Sequence, residues 1–417
     1  MRLKRAARQI LYLMATLWVV LLLWAMGRLR THALADGLAL KVAALKVHSF
    51  ARASHATPAL SGSFADRATE PLLALAAAAL RSDDVELCRA VRKGEQPYSS
   101  VSALCAEALR LASPALEALL LATHAISAAP PEGLGPLDDP RLPLYGEGFS
   151  AVRYAGKLAA LRIREELARG QTGSAVDTCV DLQGVARDLT YGTGLPGRAA
   201  VADLSEVIFF SCVAALQAAS PEDQEAAGQK FAVIAQGFSP LTAALSDWGT
   251  VELLKTYGPF LGERLAHLPE GARRLAHRGE PPHSFSLKGT FLVKDAWHRE
   301  QRRMEGLVFA ASLSPNKRYP RIAELSRGQH SFNPLAGAPL PDEVLRVCEE
   351  DGRARAELRF LQAVTVASAF HARHHAWPSL EVLKTAGGGE LTLQTRGPLA
   401  LLLDDSAPRG GLEVELH

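Results

Sequence analysis

Residues Leu158–Leu189 read LAALRIREELARGQTGSAVDTCVDLQGVARDL, and this stretch predicts two helices joined by a tight turn. In its first half, Ile163 and Leu167 lie on one apolar helical face, opposite a face of charged side chains. Gly170 is a typical helix terminator, and Ser174 is a suitable N-cap for a second helix. The stretch therefore predicts an α-helical hairpin.

Similar helical patterns follow the hairpin along the chain. The segment Ala199–Ala218 is apolar nearly all round at Val207–Phe210, which predicts a buried central helix. Ser220–Asp223 supplies a cap, a first-turn proline and acidic residues for a fourth helix. We therefore predict a helical-hairpin domain over 149–313. The predicted fold class is mainly α: an N-terminal transmembrane helix, an antiparallel α-hairpin array and a small C-terminal β-meander.

The hairpin at 158–189 resembles a repeat of the tetratricopeptide-like α-hairpin proteins. The shared features are small residues on the helix faces, a charged turn that contains glycine, and an apolar helix that follows. The Trp-x₂-Leu-Gly-x₂-Tyr start of that family is absent from this stretch. The resemblance implies an α-hairpin architecture and nothing about ligands.

The N-terminal segment predicts a membrane anchor. Ile10–Gly27 is an uncharged apolar run of eighteen residues, preceded by Arg2, Lys4, Arg5 and Arg8. As a helix it would be about 27 Å long, close to the roughly 30 Å hydrocarbon core of a bilayer. The dense basic charge in the short tail 1–9 favours a cytoplasmic N-terminus and an exported body. Cleavage after Ala35, in the tripeptide Ala33-Leu34-Ala35, is the alternative that would release the body.

Proline and glycine set the remaining boundaries. A membrane-proximal helical region is predicted at 28–129. The segment 130–148 contains nine proline or glycine residues in nineteen and is predicted to be a linker. An irregular connection is expected at 314–341. The range 342–417 is predicted to hold a long helix, Asp342–His374, followed by short strands at 390–395, 398–403 and 412–416.

The C-terminal segment, about 345–417, resembles the bodies of bacterial pseudopilins. The resemblance is carried by the long helix, by the segment 375–383 (HAWPSLEVL) and by the short strands after it. The N-terminal anchor lacks the prepilin cleavage signal, so filament assembly is not implied.

The five cysteines show no CxxC spacing, which argues against a zinc ribbon or a thioredoxin-type site. In an exported body, Cys88 with Cys105 and Cys179 with Cys212 are candidate disulfides between neighbouring helices. The alternative is that all five are buried thiols, since cysteine is among the most buried residue types. Under the first interpretation Cys348 stays free.

Three histidines, His371, His374 and His375, form the candidate metal site. Their spacing of i, i+3 and i+4 near a helix end could place two imidazoles on one face. No acidic residue lies in the same turn, and cationic side chains in a last turn also complement the helix dipole without a metal. The G-x-G-x-x-G spacing at Gly192–Gly197 follows a predicted helix rather than a strand, so we interpret it as a turn.

These patterns favour a binding or scaffold protein over an enzyme. The net charge of +2 gives no general attraction to nucleic acid, and no HExxH, GxSxG or Walker sequence is present. We expect no cofactor and no catalytic residues. The expected partners are the membrane and another protein, on the outer side of a bacterial-type inner membrane. The alternatives are a metal-dependent hydrolase that uses the histidine cluster, and an accessory component of a secretion or pilus-type machine.

Overall fold

The computed structural model describes residues 2–45, 50–79, 88–261, 265–277, 287–327, 340–387, 391–396, 399–404, 407–408 and 411–416. Parts of the ranges predicted from the sequence lie outside these residues. In the membrane-proximal region 28–129 they are 46–49 and 80–87, and in the hairpin domain 149–313 they are 262–264 and 278–286. In the connection 314–341 they are 328–339, and in the C-terminal region they are several short stretches after 387.

The chain is mainly helical. The described residues form fourteen α-helices: α1 (Arg2–Ala44), α2 (Phe64–Ala79), α3 (Arg89–Lys93), α4 (Ala103–Ala122), α5 (Gly148–Ala168), α6 (Thr172–Asp188), α7 (Gly194–Ala218), α8 (Pro221–Gln236), α9 (Leu241–Leu261), α10 (Glu270–His277), α11 (Leu287–Ala311), α12 (Pro315–Ser326), α13 (Asp342–His374) and α14 (Leu380–Gly387). The predicted mainly α fold class is confirmed.

The described residues also form five short strands: β1 (Leu60–Ser63), β2 (Ala125–Ser127), β3 (Leu391–Arg396), β4 (Leu399–Asp404) and β5 (Leu412–Leu416). The last three make an antiparallel sheet in the order β3-β4-β5, with Leu402 opposite both Leu393 and Val414. Alternate residues of β4 and β5 are buried, as the alternating pattern requires. The predicted small C-terminal sheet is confirmed. The sequence did not predict β1 and β2, which pair in parallel.

The chain divides into two compact units. The first contains Met1–His48, Leu245–Leu313 and Pro320–Pro341, and the second contains Ser49–Ala244, Ser314–Tyr319 and Asp342–His417. Residues 245–313, which the sequence groups with the hairpin helices, thus belong to the first unit. The segment 130–148 belongs to the second unit, where Leu134 and Leu144 are buried in its core.

The second unit is built around α7. Helices α5 and α6 pack against α7, and α13 packs against both α7 and α8. The ring of Phe209 on α7 lies 5.8 Å from the ring of Phe360 on α13. The predicted buried central helix is therefore the centre of this core.

In the first unit, α1 packs against α11. Leu34, Leu38 and Val42 of α1 are buried, and the ring of Tyr257 on α9 makes an edge contact with Trp297 on α11, 5.3 Å between ring centroids. The continuous helix α1 includes the tripeptide at 33–35, and Leu34 and Ala35 are buried.

Two helices have long apolar stretches. Among the described residues, α7 is long and apolar enough to cross a bilayer, but 61% of its most apolar window is buried within the protein, as in a core helix. The apolar part of α1, Leu11–Met26, is shorter. The span predicted at 10–27 stays a prediction.

The prediction of an irregular connection at 314–341 is wrong over its first part, where α12 forms. Pro315 is its first residue, a position that tolerates proline because that N–H needs no helical partner. The backbone N–H groups of Lys317 and Arg318 both donate to the carbonyl of Ser314 at 2.9 Å. The helix continues through Pro320 although proline weakens a helix interior.

Candidate functional site

Three segments of the second unit bring two imidazoles and a carboxylate together. Asp181 projects from α6, His124 follows the end of α4, and His55 lies in the segment before β1. Oδ1 of Asp181 lies 2.9 Å from Nε2 of His55 and 2.9 Å from Nε2 of His124. All three ligand-type atoms lie within 4.8 Å of one another. We call these three residues the His–His–Asp cluster.

Backbone pairing fixes the two histidines. The N–H of Leu60 donates to the carbonyl of His124 at 2.9 Å at the start of the β1–β2 pair. The hydroxyl of Ser54 donates to the same carbonyl at 3.0 Å. The N–H of Arg52 donates to the carbonyl of Ile126 at 3.2 Å. The segment that carries His55 is therefore tied to the segment that carries His124.

A glycine on α6 makes room for His55. A Cβ on Gly184 would lie 2.8 Å from Cε1 of His55 and 2.9 Å from Cβ of Thr123, closer than real Cβ contacts allow. Gly184 stands three residues after Asp181, on the same side of α6. The cluster therefore depends on a residue without a side chain at this position.

Two arginines lie beside the cluster and share one aspartate. Asp188 accepts from Nη2 of Arg52 at 2.5 Å and from Nε of Arg187 at 2.8 Å. Both guanidinium groups also donate to the carbonyl of Thr123, at 2.8 and 3.1 Å. Because all three side chains are buried, this network holds the end of α4 rigidly against α6.

The electrostatics of the cluster favour a charged aspartate and a neutral His55. Burial lowers the pKa of His55, so its ring is neutral near pH 7. Burial alone would raise the pKa of Asp181, but hydrogen bonds from His124 and His55 outweigh it and hold that pKa below its usual range. The cluster can therefore offer one carboxylate and one neutral imidazole at physiological pH.

Arg187 indicates the tautomer of His55. Nη1 of Arg187 lies 3.5 Å from Nδ1 of His55, and arginine can only donate. Nδ1 therefore accepts, and the proton of the neutral ring sits on Nε2, where it donates to Asp181.

The histidines predicted as a metal site have other contacts. The ring of His371 stacks on Trp377 at 4.0 Å, and the ring of His374 packs on Phe370 at 4.4 Å. His375 follows the end of α13, and its N–H donates to the carbonyl of His371 at 2.9 Å. Within the described residues, the group in which three possible metal-ligand atoms converge is the His–His–Asp cluster. A metal at His371, His374 and His375 stays a prediction.

The structure brings together both candidate cysteine pairs. Cys88 and Cys105 are joined with an S–S distance of 2.02 Å, and Cys179 and Cys212 with 2.09 Å. The second pair links α6 to α7 two residues before Asp181. Cys348 is buried and free, and burial raises the pKa of its thiol to about 12, which makes it unreactive.

Sequence reasoning missed the His–His–Asp cluster because its members are far apart in the chain. His55 and Asp181 are separated by 126 residues, and His124 and Asp181 by 57. Motif searches depend on short spacings, and neither His55 nor His124 has a metal-ligating neighbour at helical spacing. The helical region predicted at 28–129 contains both His55 and His124 but gives no signal that they meet.

Comparison of this chain with known protein families, curated proteins and solved structures finds no match.

Proposed function

We propose that this chain is a single-pass membrane protein whose helical body lies outside the cytoplasm and binds another protein there. The observation that carries the proposal is the surface of α1. Twelve large hydrophobic side chains between Leu11 and Met26 are exposed by 41–72%. Soluble monomers rarely leave so large a continuous apolar surface uncovered.

A bilayer is the covering that fits this surface best. Exposed apolar area costs about 25 cal/mol per Å² in water, and lipid tails remove that cost. The apolar side chains point in all directions around the helix, whereas a protein partner would cover one face. The basic residues of the tail 1–9 would stay on the cytoplasmic side.

The two cysteine pairs support an exported body. Disulfides persist in the periplasm and outside cells and are rare in a reducing cytosol. Cys88–Cys105 and Cys179–Cys212 both lie in the second unit, after the proposed span. Binding is favoured because extended helical-hairpin surfaces suit partner recognition and need no catalytic residues.

Replacing Leu21 and Leu22 with Arg should abolish membrane integration. Two charges at the centre of the span cost about 2.5–3.5 kcal/mol each on insertion scales. The measurement is carbonate extraction of membranes followed by immunoblotting. The variant should appear in the soluble or degraded fraction, whereas the parent chain stays in the pellet.

The control carries Arg at Leu40 and Leu104, two exposed leucines outside the proposed span. It should integrate as the parent does. A Leu21/Leu22 variant that resists carbonate would contradict the anchor. When parent membranes are solubilised in mild detergent, the chain should co-purify with a second protein. Elution of the chain by itself in size-exclusion chromatography would contradict the proposal that it binds another protein.

Peptide mapping under non-reducing conditions should link Cys179 to Cys212 and Cys88 to Cys105 in protein taken from cells. The physical reason is that an exported body meets an oxidising compartment. Thiols are blocked with an alkylating reagent at lysis, and tryptic peptides are identified by mass spectrometry. Cys348 serves as the internal control, because it should be alkylated only after denaturation. Alkylation of all five cysteines without reductant would place the body in a reducing compartment.

A further inference from the structure

We propose that His55, His124 and Asp181 bind one divalent first-row transition metal ion, with Zn²⁺ as the probe of choice. The site goes beyond the proposed membrane-anchored binding role and stands independently of it. It lies within the second unit, and its three ligand atoms are Nε2 of each histidine and Oδ1 of the aspartate.

The distances between ligand atoms suit a shared ion. Protein nitrogen and oxygen ligands lie about 2.0–2.2 Å from zinc, so two ligands at the tetrahedral angle are about 3.3–3.6 Å apart. Both histidine nitrogens lie 2.9 Å from Oδ1 of Asp181. An ion would therefore replace the protons now shared across these contacts once each nitrogen moves about half an ångström away from the carboxylate oxygen.

The chemistry of the ligands suits this class of metal. Neutral imidazole suits zinc, iron, copper and nickel, and a carboxylate adds the negative charge that a divalent ion needs. Three protein ligands leave at least one coordination position open, as in catalytic zinc sites. The side chains of His124 and Asp181 are 22% and 18% exposed, so water or a small ligand can reach that position.

The charges around the cluster permit a cation. The positive charges of Arg52 and Arg187 are directed at Asp188, through contacts of 2.5 and 2.8 Å. The contacts of Asp181, in turn, run to the two imidazoles. The carboxylate of Asp181 is thus the anion available to the metal, whereas Asp188 offsets one of the two arginine charges.

Metal binding changes the tautomers of both histidines, because each Nε2 donates to Asp181 in the metal-free structure. With a metal on Nε2, the proton of each ring moves to Nδ1, and in His55 that atom no longer accepts from Arg187. That contact is 3.5 Å, at the long limit of a hydrogen bond, and Arg187 keeps its shorter bonds to Asp188 and to the carbonyl of Thr123. The loss is therefore small compared with a metal–nitrogen bond.

The surrounding structure holds the ligands in place before any metal binds. The Cys179–Cys212 pair fixes α6 against α7 two residues from Asp181. Gly184 lets His55 lie directly on α6, and the β1–β2 pair holds His124. Rigid support of this kind lowers the entropic cost of assembling a metal site.

The test is a zinc titration of the full-length chain in detergent after chelator treatment and desalting. The parent should bind one equivalent of Zn²⁺, measured by competition with a chromophoric chelator and by elemental analysis. His124→Ala and Asp181→Asn should each weaken binding by more than the roughly 10–100-fold typical of losing an outer-shell partner. The double variant His371→Ala/His374→Ala is the matched control and should bind as the parent does.

Two results would overturn the proposal. One is the absence of zinc binding to a folded parent chain, which would leave the cluster as a hydrogen-bonded contact between segments. The other is loss of zinc in the His371/His374 variant with full binding in the His124 variant, which would move the site to the end of α13. If the ligand variants do not fold, measurements on the parent chain test the site. Zinc should protect His124 from diethyl pyrocarbonate, and bound zinc without this protection would contradict the site.

A second pair of variants tests the geometry without touching a ligand. Gly184→Ala should weaken zinc binding at least about tenfold, because the added methyl group displaces His55 from α6. Gly173→Ala, on the same helix, adds a methyl group whose nearest neighbour is 3.9 Å away and should leave binding unchanged. Equal zinc affinity in the two variants would contradict a site that needs His55 on α6.

Discussion

Replacing Arg198 with Met should lower the free energy of unfolding by about 3 kcal/mol, the lower end of the range for breaking a buried ion pair, because the buried carboxylate of Asp351 loses one of its two cations and keeps Arg355 at 2.9 Å. Arg198 on α7 and Asp351 on α13 are both almost fully buried, with Nη1 of Arg198 2.8 Å from Oδ1 of Asp351. Nη2 of Arg198 also donates to the carbonyls of Ser239 and Pro240, at 2.7 and 3.0 Å. Thermal and denaturant unfolding of the detergent-solubilised chain measure the loss.

The control for this prediction is an exposed ion pair of the same chemistry. Arg153 and Asp203 pair at the surface, where Arg153→Met should cost no more than about 1 kcal/mol. The variant that replaces both Arg198 and Asp351 with apolar residues should be more stable than Arg198→Met alone, since no buried carboxylate remains and Arg355, whose side chain is 25% exposed, can reach water. Equal losses in the buried and the exposed arginine variants would contradict the role of burial.

Replacing Phe209 with Ala should cost about 3–5 kcal/mol of unfolding free energy, the usual range for a buried phenylalanine. The side chain is 3% exposed, and its ring lies between Phe210 and Phe360, at 5.3 and 5.8 Å between centroids. Its loss would leave a cavity where α7 meets α13. The measurement is again the unfolding transition of the full chain.

The neighbouring residue provides the matched control. Phe210 on the same helix is 52% exposed, so Phe210→Ala leaves no closed cavity. We expect it to cost much less than Phe209→Ala, with the difference set by burial alone because the side chains are identical. Similar melting temperatures for the two variants would show that α7 does not have the orientation described.

The sequence predicts helices well where a long amphipathic pattern coincides with clear end signals. The helix predicted at Asp342–His374 has these bounds in the structure as α13. A proline inside a pattern is a weaker guide. Proline disfavours helix at its own position and at the residue before it, yet α4 runs from Ala103 to Ala122 through Pro114, because Leu109, Leu116 and Leu119 bury one face along its whole length. Tertiary packing of that face outweighs the missing backbone hydrogen bond.

The candidate site was much harder to predict than the fold. Helix patterns are local, and hydrophobic spacing within about twenty residues is enough to find them. The His–His–Asp cluster depends instead on the pairing of β1 with β2 and on a glycine at 184 that admits His55. A strand of three or four residues has too little pattern to be recognised, so the meeting of His55 with His124 could not be inferred from the residues alone.

The packing of α1 against α11 has a consequence for synthesis of the protein. The ribosome makes α11 about 240 residues after the end of α1, which at roughly 5–20 residues per second is a delay of roughly 12–50 s. Throughout that time, Leu34, Leu38 and Val42 of α1 lack the helix that covers them in the finished protein. Nascent chains that do not yet include α11 therefore expose an apolar surface through which they can associate with one another. We expect chaperones to prevent this association during translation.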